Sequence, residues 1–427
     1  MRKTFLFGMG SALVAGAVVL VACSSTDGGN AGLGSGGSGA GASGGTGNFG
    51  GFGNTGNAGG GAATGGTPGI IDAGPGKEGG GGGGTTCDSG PDEDKDQDGF
   101  SVNQGDCNDC DANVNPGAID VYDDGGDGGA PKWGDEDCSG TPGDSAAVDC
   151  DDGIALDDPD PVNAAKSIEL CKQTTQADKS WGVISANWVR ADGTPYGTPT
   201  PAMGIEDAWG PNVNTQAGKR MLVLSSGHAR LPGQADSCGT LTCYNNGPGT
   251  APSGFPQDVP SCTGDTAIND DVGLEVKLRA PTNATGYAFN FRFYSFEYPE
   301  WVCTSFNDQF IALVNPAPQG SINGNICFDS QNNPVSVNVG FFDVCQGCPA
   351  GTAELQGTGF DTWDDAGATV WLESQAPVTG GQEVTIRFTI WDTGDQAWDS
   401  TALIDNFHWI ANGGTVAVGT KPIPTPR

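Results

Sequence analysis

Leu274, Val276 and Leu278 alternate with Glu275, Lys277 and Arg279, and shortly after, Tyr287, Phe289, Phe291 and Phe293 alternate with Ala288, Asn290, Arg292 and Tyr294. A period of two puts one set of side chains on one face of an extended chain, which a helix of period 3.6 does not do. The pattern recurs at Phe310 to Val314, Val335-x-Val337-x-Val339, Val370 to Leu372, Val384-x-Ile386-x-Phe388-x-Ile390 and Leu403 to Ile410, with Gly, Pro, Asn and Asp clusters between the runs. Only Asn163 to Lys172 reads as helical. Short half-buried strands separated by turn signals predict an all-β fold, an antiparallel, jelly-roll-like β-sandwich over residues 173–420 with a Pro-rich tail at 421–427.

The first fifth of the chain has no such pattern. From Ser24 to Thr86 there are 29 Gly in 63 residues and four charged groups, Asp27, Asp72, Lys77 and Glu78. So little apolar surface cannot offset the ordering entropy, so residues 23–86 are expected to be a disordered Gly-rich stalk. Ahead of it, Met1-Arg2-Lys3 is a basic head and Phe5 to Ala22 an apolar run ending in Leu20-Val21-Ala22-Cys23, the order of an export signal. It resembles a bacterial lipobox, which implies that residues 1–22 are removed and that Cys23 carries lipid. A transmembrane helix is the alternative for a run of this length. Two or three acyl chains suffice for stable anchoring, and Ser24 resembles a residue that permits passage to an outer membrane. The expected address is exported and lipid-anchored, at the outer membrane or cell surface.

Charge narrows the chemistry. With 18 Lys plus Arg against 52 Asp plus Glu the net charge is −34, which repels phosphate backbones and argues against nucleic-acid partners. Two His make a multi-His zinc site hard to build, whereas carboxylates suit hard, oxygen-seeking cations. Between Asp88 and Asp160 stand 23 Asp/Glu and two Lys, so 73 residues hold −21 of that charge. Within them, Asp94-Lys95-Asp96-Gln97-Asp98-Gly99-Phe100 sets carboxylates at alternate positions before a Gly, the opening of an EF-hand-like loop that turns three oxygens toward one ion. No helical pattern flanks it, and the twelfth position is Gly105 rather than Glu, so an ordinary EF-hand pair is not expected.

Asp106-Cys107-Asn108-Asp109-Cys110-Asp111, Asn115-Pro116-Gly117-Ala118-Ile119-Asp120 and Asp135-Glu136-Asp137-Cys138-Ser139-Gly140 follow in order. With the first loop they resemble the metal-binding motif of secreted and surface bacterial proteins, over about residues 92–140, with Asp123 to Trp133 as an insertion. The resemblance implies calcium held by Asp94, Asp96, Asp98, Asp106, Asp109 and Asp111. A solvated acidic spacer is the alternative.

Fourteen Cys in an exported chain predict disulfides, most of all in the core-poor Asp/Cys-rich segment 87–172, and sequence does not choose their pairing. Cys107-x-x-Cys110 and Cys345-x-x-Cys348 lack the surroundings of a redox or zinc site. With Cys23 set aside thirteen remain, so one thiol is expected to stay free or to pair outside the chain.

Phe296-Glu297-Tyr298-Pro299-Glu300-Trp301, Asn307-Asp308-Gln309-Phe310 and Asp399-Ser400-Thr401-Ala402-Leu403-Ile404-Asp405-Asn406-Phe407 resemble the choice-of-anchor L domain of bacterial surface proteins. Together with Trp181-Gly182-Val183, Met221 to Gly227 and Pro281-Thr282-Asn283-Ala284-Thr285, they are similar to the form that myxobacterial surface lipoproteins combine with the metal motif, over roughly 160–420. This resemblance brings no enzymatic activity. At strand ends, Glu297, Asp308 and Asp405 are candidates for a structural calcium, with ordinary surface carboxylates as the alternative; Trp391 and Trp398, in a turn with Asp392, Asp395 and Asp399, are candidates to stack on a sugar, with Trp anchors under a loop as the alternative. Ser226-Gly227-His228 lacks an elbow motif and a third member, and Glu297 with Glu300 makes a poor glycosidase pair. The expected function is a non-catalytic, calcium-binding surface lipoprotein that binds or adheres to an extracellular glycan or surface protein. A structural envelope scaffold, or less readily a carbohydrate-active hydrolase, is the alternative.

Overall fold

The computed structural model describes residues 87–423 except 126–129, 145–149, 244–245, 261, 263, 339, 364 and 412–413. The expected signal segment, Cys23, the Gly-rich stalk and the last residues of the tail lie outside the described residues.

The strands follow the alternation. In chain order they are β1 (Tyr122–Asp123), β2 (Lys132–Trp133), then helix α1 (Pro161–Lys166), β3 (Gly182–Val189), β4 (Met203–Glu206), β5 (Met221–Ser225), β6 (Ile268–Arg279), β7 (Ala284–Ser295), β8 (Gln309–Asn315), β9 (Val335–Ser336), β10 (Phe342–Cys345), β11 (Gly367–Thr369), β12 (Leu372–Pro377), β13 (Glu383–Thr393), β14 (Ser400–Ala411) and β15 (Gly419–Pro422). One sheet has the order β3-β6-β13-β8-β9. The other has the order β10-β11-β7-β14-β5-β4, with β12 on β7 and β15 on β12. Named strand pairs are antiparallel, and the fold is an all-β sandwich.

The two sheets meet through the predicted apolar faces. Leu274, Val276 and Leu278 of β6 and Phe388 of β13 pack against Phe289 and Phe291 of β7 in one buried cluster, with Phe289 edge-on to Phe388 at 5.0 Å. Each such side chain taken fully out of water contributes on the order of 1.5–3 kcal/mol.

Three local expectations change. β7 is buried on both faces rather than half-buried, because a second apolar layer containing Trp209, Leu355 and Phe360 covers Tyr294. Arg292 on that covered face is neutralised by Glu354 and donates to the Thr369 carbonyl at 2.7 Å. Val370 to Leu372 is not one strand: β11 and β12 are two pieces that both pair with β7, broken at Val370-Trp371, where Thr369 Oγ1 accepts the Phe293 N–H in place of a backbone carbonyl. Lys421 and Pro422, expected in the tail, pair with Glu373 and Leu372 of β12 as part of β15.

The helical expectation at Asn163 to Lys172 begins and ends earlier. Asp160 caps α1 by accepting the Val162 N–H at 2.9 Å and Pro161 takes the first turn, a start that the apolar pattern alone does not mark. Ala164, Ala165, Ile168 and Leu170 join the same buried cluster as the sheets.

Among the described residues, six disulfides join Cys87–Cys110, Cys107–Cys138, Cys150–Cys171, Cys238–Cys243, Cys262–Cys303 and Cys345–Cys348. Cys327 is the free thiol among the described residues, and it is buried in the core beside Ser374, a position that does not serve a link to another chain.

Candidate metal centre

The Asp94 to Asp109 loop folds on its own carboxylates. Gln97 and Gly99 take left-handed φ of 65° and 99°, and the bend brings the three alternating aspartates to one side. Asp94 accepts the Gly99 N–H at 3.0 Å, Asp96 that of Asp98 at 3.3 Å, and Asp98 that of Phe100 at 2.7 Å. From the next turn Asp106 accepts the Asn108 N–H at 2.8 Å and Asp109 the Lys95 N–H at 2.9 Å, which ties the two turns together. Cys87–Cys110 and Cys107–Cys138 hold the second turn from outside.

These bonds use one oxygen of each carboxylate. Oδ2 of Asp96, Asp98, Asp106 and Asp109 is buried with no hydrogen-bond partner, although Asp106 and Asp109 are only 3% and 2% exposed. Ligand atoms of Asp94, Asp96 and Asp109 lie within 4.8 Å of one another, as do those of Asp96, Asp98 and Asp106. Burial pushes the carboxyls of Asp96 and Asp98 up, and that of Asp106 up to about 6, with the neighbouring aspartates adding to the shift. The donor set is all oxygen and all anionic, which suits calcium. Asp111 does not join: its exposed carboxylate accepts from Asn113, and only its backbone N–H faces Asp96.

Asp120, Asp137 and Asp144 form a further cluster within 4.8 Å, to which sequence reasoning assigned no ligands. Asp120 there already accepts the Asp137 and Gly143 N–H groups at 3.3 and 2.6 Å. The signal was present in the closing acidic-Cys-Gly element, but Asp144 stands outside it.

The element between the clusters docks the loop. Asn115 touches Asp98 through its side chain, and its Oδ1 accepts the Thr282 hydroxyl and the Gly117 N–H, each at 2.8 Å. Thr282 N–H donates to the Gly117 carbonyl at 2.9 Å, and the Trp181 indole N–H donates to the Ala118 carbonyl at 3.0 Å. Asn115-Pro116-Gly117-Ala118 and Pro281-Thr282-Asn283, carried by two separate resemblances, are thus two halves of one contact.

The sandwich carboxylates divide. Glu297 and Asp308 meet Asp392 and Asp399, which were not chosen from sequence, in a buried group that joins strands of both sheets. Asp308 accepts from Thr393 N–H and the Ser400 hydroxyl at 2.9 and 2.7 Å, whereas Asp392 has no donor on either oxygen. Asp405 lies five residues beyond Ser400 along β14, roughly 17 Å, and faces Glu169 and Asp151 instead. One ion therefore cannot hold Glu297, Asp308 and Asp405 together.

Trp391 is fully buried against Phe255 and presents no face to a ligand. Trp398 is partly buried between Trp301 and Trp363. Ser226 Oγ is taken up by the backbone of Ser400, and Glu300 is exposed while Glu297 is buried, so neither candidate catalytic set is assembled. A cavity of about 250 Å³ lies where the acidic segment meets the sandwich, lined by Trp133, Trp181, Trp409, His408, Lys172 and Asp120 among others. Lys172 Nζ stands 4.4 Å over the Trp181 ring.

Residues 202–407 match the profile of the Choice-of-anchor L domain. That family is surface-associated and non-enzymatic, and the match points to a cell-surface or exported protein. No curated protein matches the chain.

Proposed function

We propose that this chain, with its Choice-of-anchor L domain, is an exported lipoprotein of the cell surface in which calcium rigidifies the acidic segment against the sandwich, and that the whole acts as a non-catalytic binding or adhesion module. The observation that carries the calcium reading is the set of four buried, unpartnered oxygens on Asp96, Asp98, Asp106 and Asp109. Unpaired buried carboxylates are costly, and a divalent cation with oxygen preference removes that cost at once. The ion would act structurally, tying together the two turns that Asp109 and Lys95 already join.

Thermal unfolding of the oxidised full chain in calcium and in chelator tests this. At a calcium concentration of about 100 Kd the folded state gains roughly 2.7 kcal/mol. No shift, and no calcium in the purified protein, would overturn the reading.

For the binding role, the Trp-lined cavity supports a glycan: flat indole faces suit sugar rings, and Lys172, His408 and Asp120 supply polar edges. Trp133→Ala should weaken capture of an immobilised glycan several-fold while calcium binding persists. Calcium binding with no glycan retained across a broad panel would favour a scaffold. Lipid attachment rests on Leu20-Val21-Ala22-Cys23, and Cys23→Ser should move the protein from the detergent to the aqueous phase on partition.

A further inference from the structure

We infer that the Asp94 to Asp109 loop holds two cations, with Asp96 as the ligand they share. The inference rests on the calcium reading above and deepens it. Calcium binds oxygen at about 2.3–2.6 Å, so two oxygens on one ion stand no more than about 5 Å apart. The five loop carboxylates do not gather within such a sphere. They fall into two groups of three, Asp94 with Asp96 and Asp109, and Asp96 with Asp98 and Asp106, each within 4.8 Å.

Each group has its own reason to need an ion. Asp109 in the first and Asp106 in the second are both almost wholly buried, and each keeps an oxygen without a partner. Asp98 Oδ2 adds a further orphan to the second group, and Asp96, in both, contributes one as well. The local lysines do not answer this charge: Lys95 donates its ammonium to the Asp88 carbonyl at 3.0 Å, and Lys179 donates to the Gly99 carbonyl and to Gln104. Five aspartates carry −5; one divalent ion leaves −3 and two leave −1. A carboxylate set between two calcium ions is a stable arrangement because its charge is shared by both, and Asp96 is the residue placed for it.

Calcium counting on the full chain separates the possibilities, by calorimetry and by metal analysis after gel filtration. Asp109→Asn should lose one ion relative to the unaltered chain, Asp106→Asn should lose one, and Asp96→Asn should lose two. If Asp96→Asn loses a single ion, or if all three variants lose the same one, the loop is a one-ion site; the two-ion inference then fails and the calcium reading stands. If none of the three loses an ion, both fail. Circular dichroism and thiol counting show whether each variant is folded and fully oxidised.

A readout on the unaltered chain covers the case of a variant that does not fold. Terbium is loaded alone and then together with holmium, which accepts its excitation energy at short range. Two ions sharing Asp96 require the terbium lifetime to shorten on co-loading, and an unchanged lifetime would overturn the two-ion site.

Discussion

Asn283 grips Ile119 by both backbone groups, accepting its N–H at 3.0 Å and donating to its carbonyl at 2.7 Å. A side-chain amide that pairs like a peptide group makes the acidic segment an added rung on the sandwich, with Asn283 buried and Ile119 half-buried. Asn283→Ala leaves a shielded donor and acceptor unpaired, so we expect a loss of about 1–3 kcal/mol. Limited proteolysis between Cys87 and Cys138 should also speed up. Urea unfolding with an unchanged midpoint would show that the contact carries no stability.

Gly117 lies inside that contact. A Cβ there would come to 2.9 Å from Thr282 Cγ2, 3.0 Å from Phe100 Cε2 and 3.1 Å from Asn115 Oδ1. Overpacking of this kind typically costs about 1–3 kcal/mol. Gly117→Ala should therefore lower the urea midpoint, while Gly197→Ala, where a Cβ meets nothing within 4 Å, should leave it in place. Equal effects from the two would count against the close fit.

Much of this was legible before the structure. β6, β7, β13 and β14 follow an alternation that burial enforces; Asp94, Asp96 and Asp98 face one way because alternate positions in a tight turn do, and Asp106 and Asp109 meet them from the next turn. What was not legible depends on contacts distant in the chain. Asp111 has the right chemistry, but the chain turns it outward to Asn113. Asp392 looked like one of several turn carboxylates, and only the meeting of two sheets buries it beside Asp308. Glu169, Asp151 and Asp405 lie far apart in sequence, and no local pattern relates them. The double burial of β7 arises from a layer supplied largely by the later 353–363 turns and by Trp209.

Protons and calcium compete for the loop. Asp106 is pushed up to about 6, first by burial and then by the charges of Asp98, Asp96 and Asp109, and burial raises Asp96 and Asp98. Since these folded values exceed the unfolded ones, ionisation penalises the metal-free fold. The contribution of these groups to the metal-free fold is fully present near pH 4 and is lost as pH rises through about 6. Glu206, raised to about 7 by burial, extends the decline. Calcium binds the ionised form, so its stabilisation grows over the same interval. The gap in melting temperature between calcium and chelator should be near zero at pH 4.5 and fully developed at pH 7.5; an equal gap at both would contradict the loop as the site.

Asp392 offers the sharpest test in the sandwich. Its carboxylate is 1% exposed, lacks a donor on either oxygen and stands close enough to Asp308 for the two to share a proton. Burial raises it well above the usual carboxylate range, and the charges of Asp308 and Asp399 raise it further. In chelator the ionised form of Asp392 is therefore disfavoured in the fold, since burial and the facing carboxylates both oppose its charge. Asn has the same shape, bears no charge and brings an N–H for Asp308. Asp392→Asn should then stabilise the metal-free chain by about 1–3 kcal/mol, at roughly 2–4 °C per kcal/mol for a domain of this size. The gain should fade toward pH 4, where the unfolded chain protonates this carboxyl as well. A calcium-dependent drop in melting temperature would instead mean that Asp392 is an ion ligand rather than half of an acid pair.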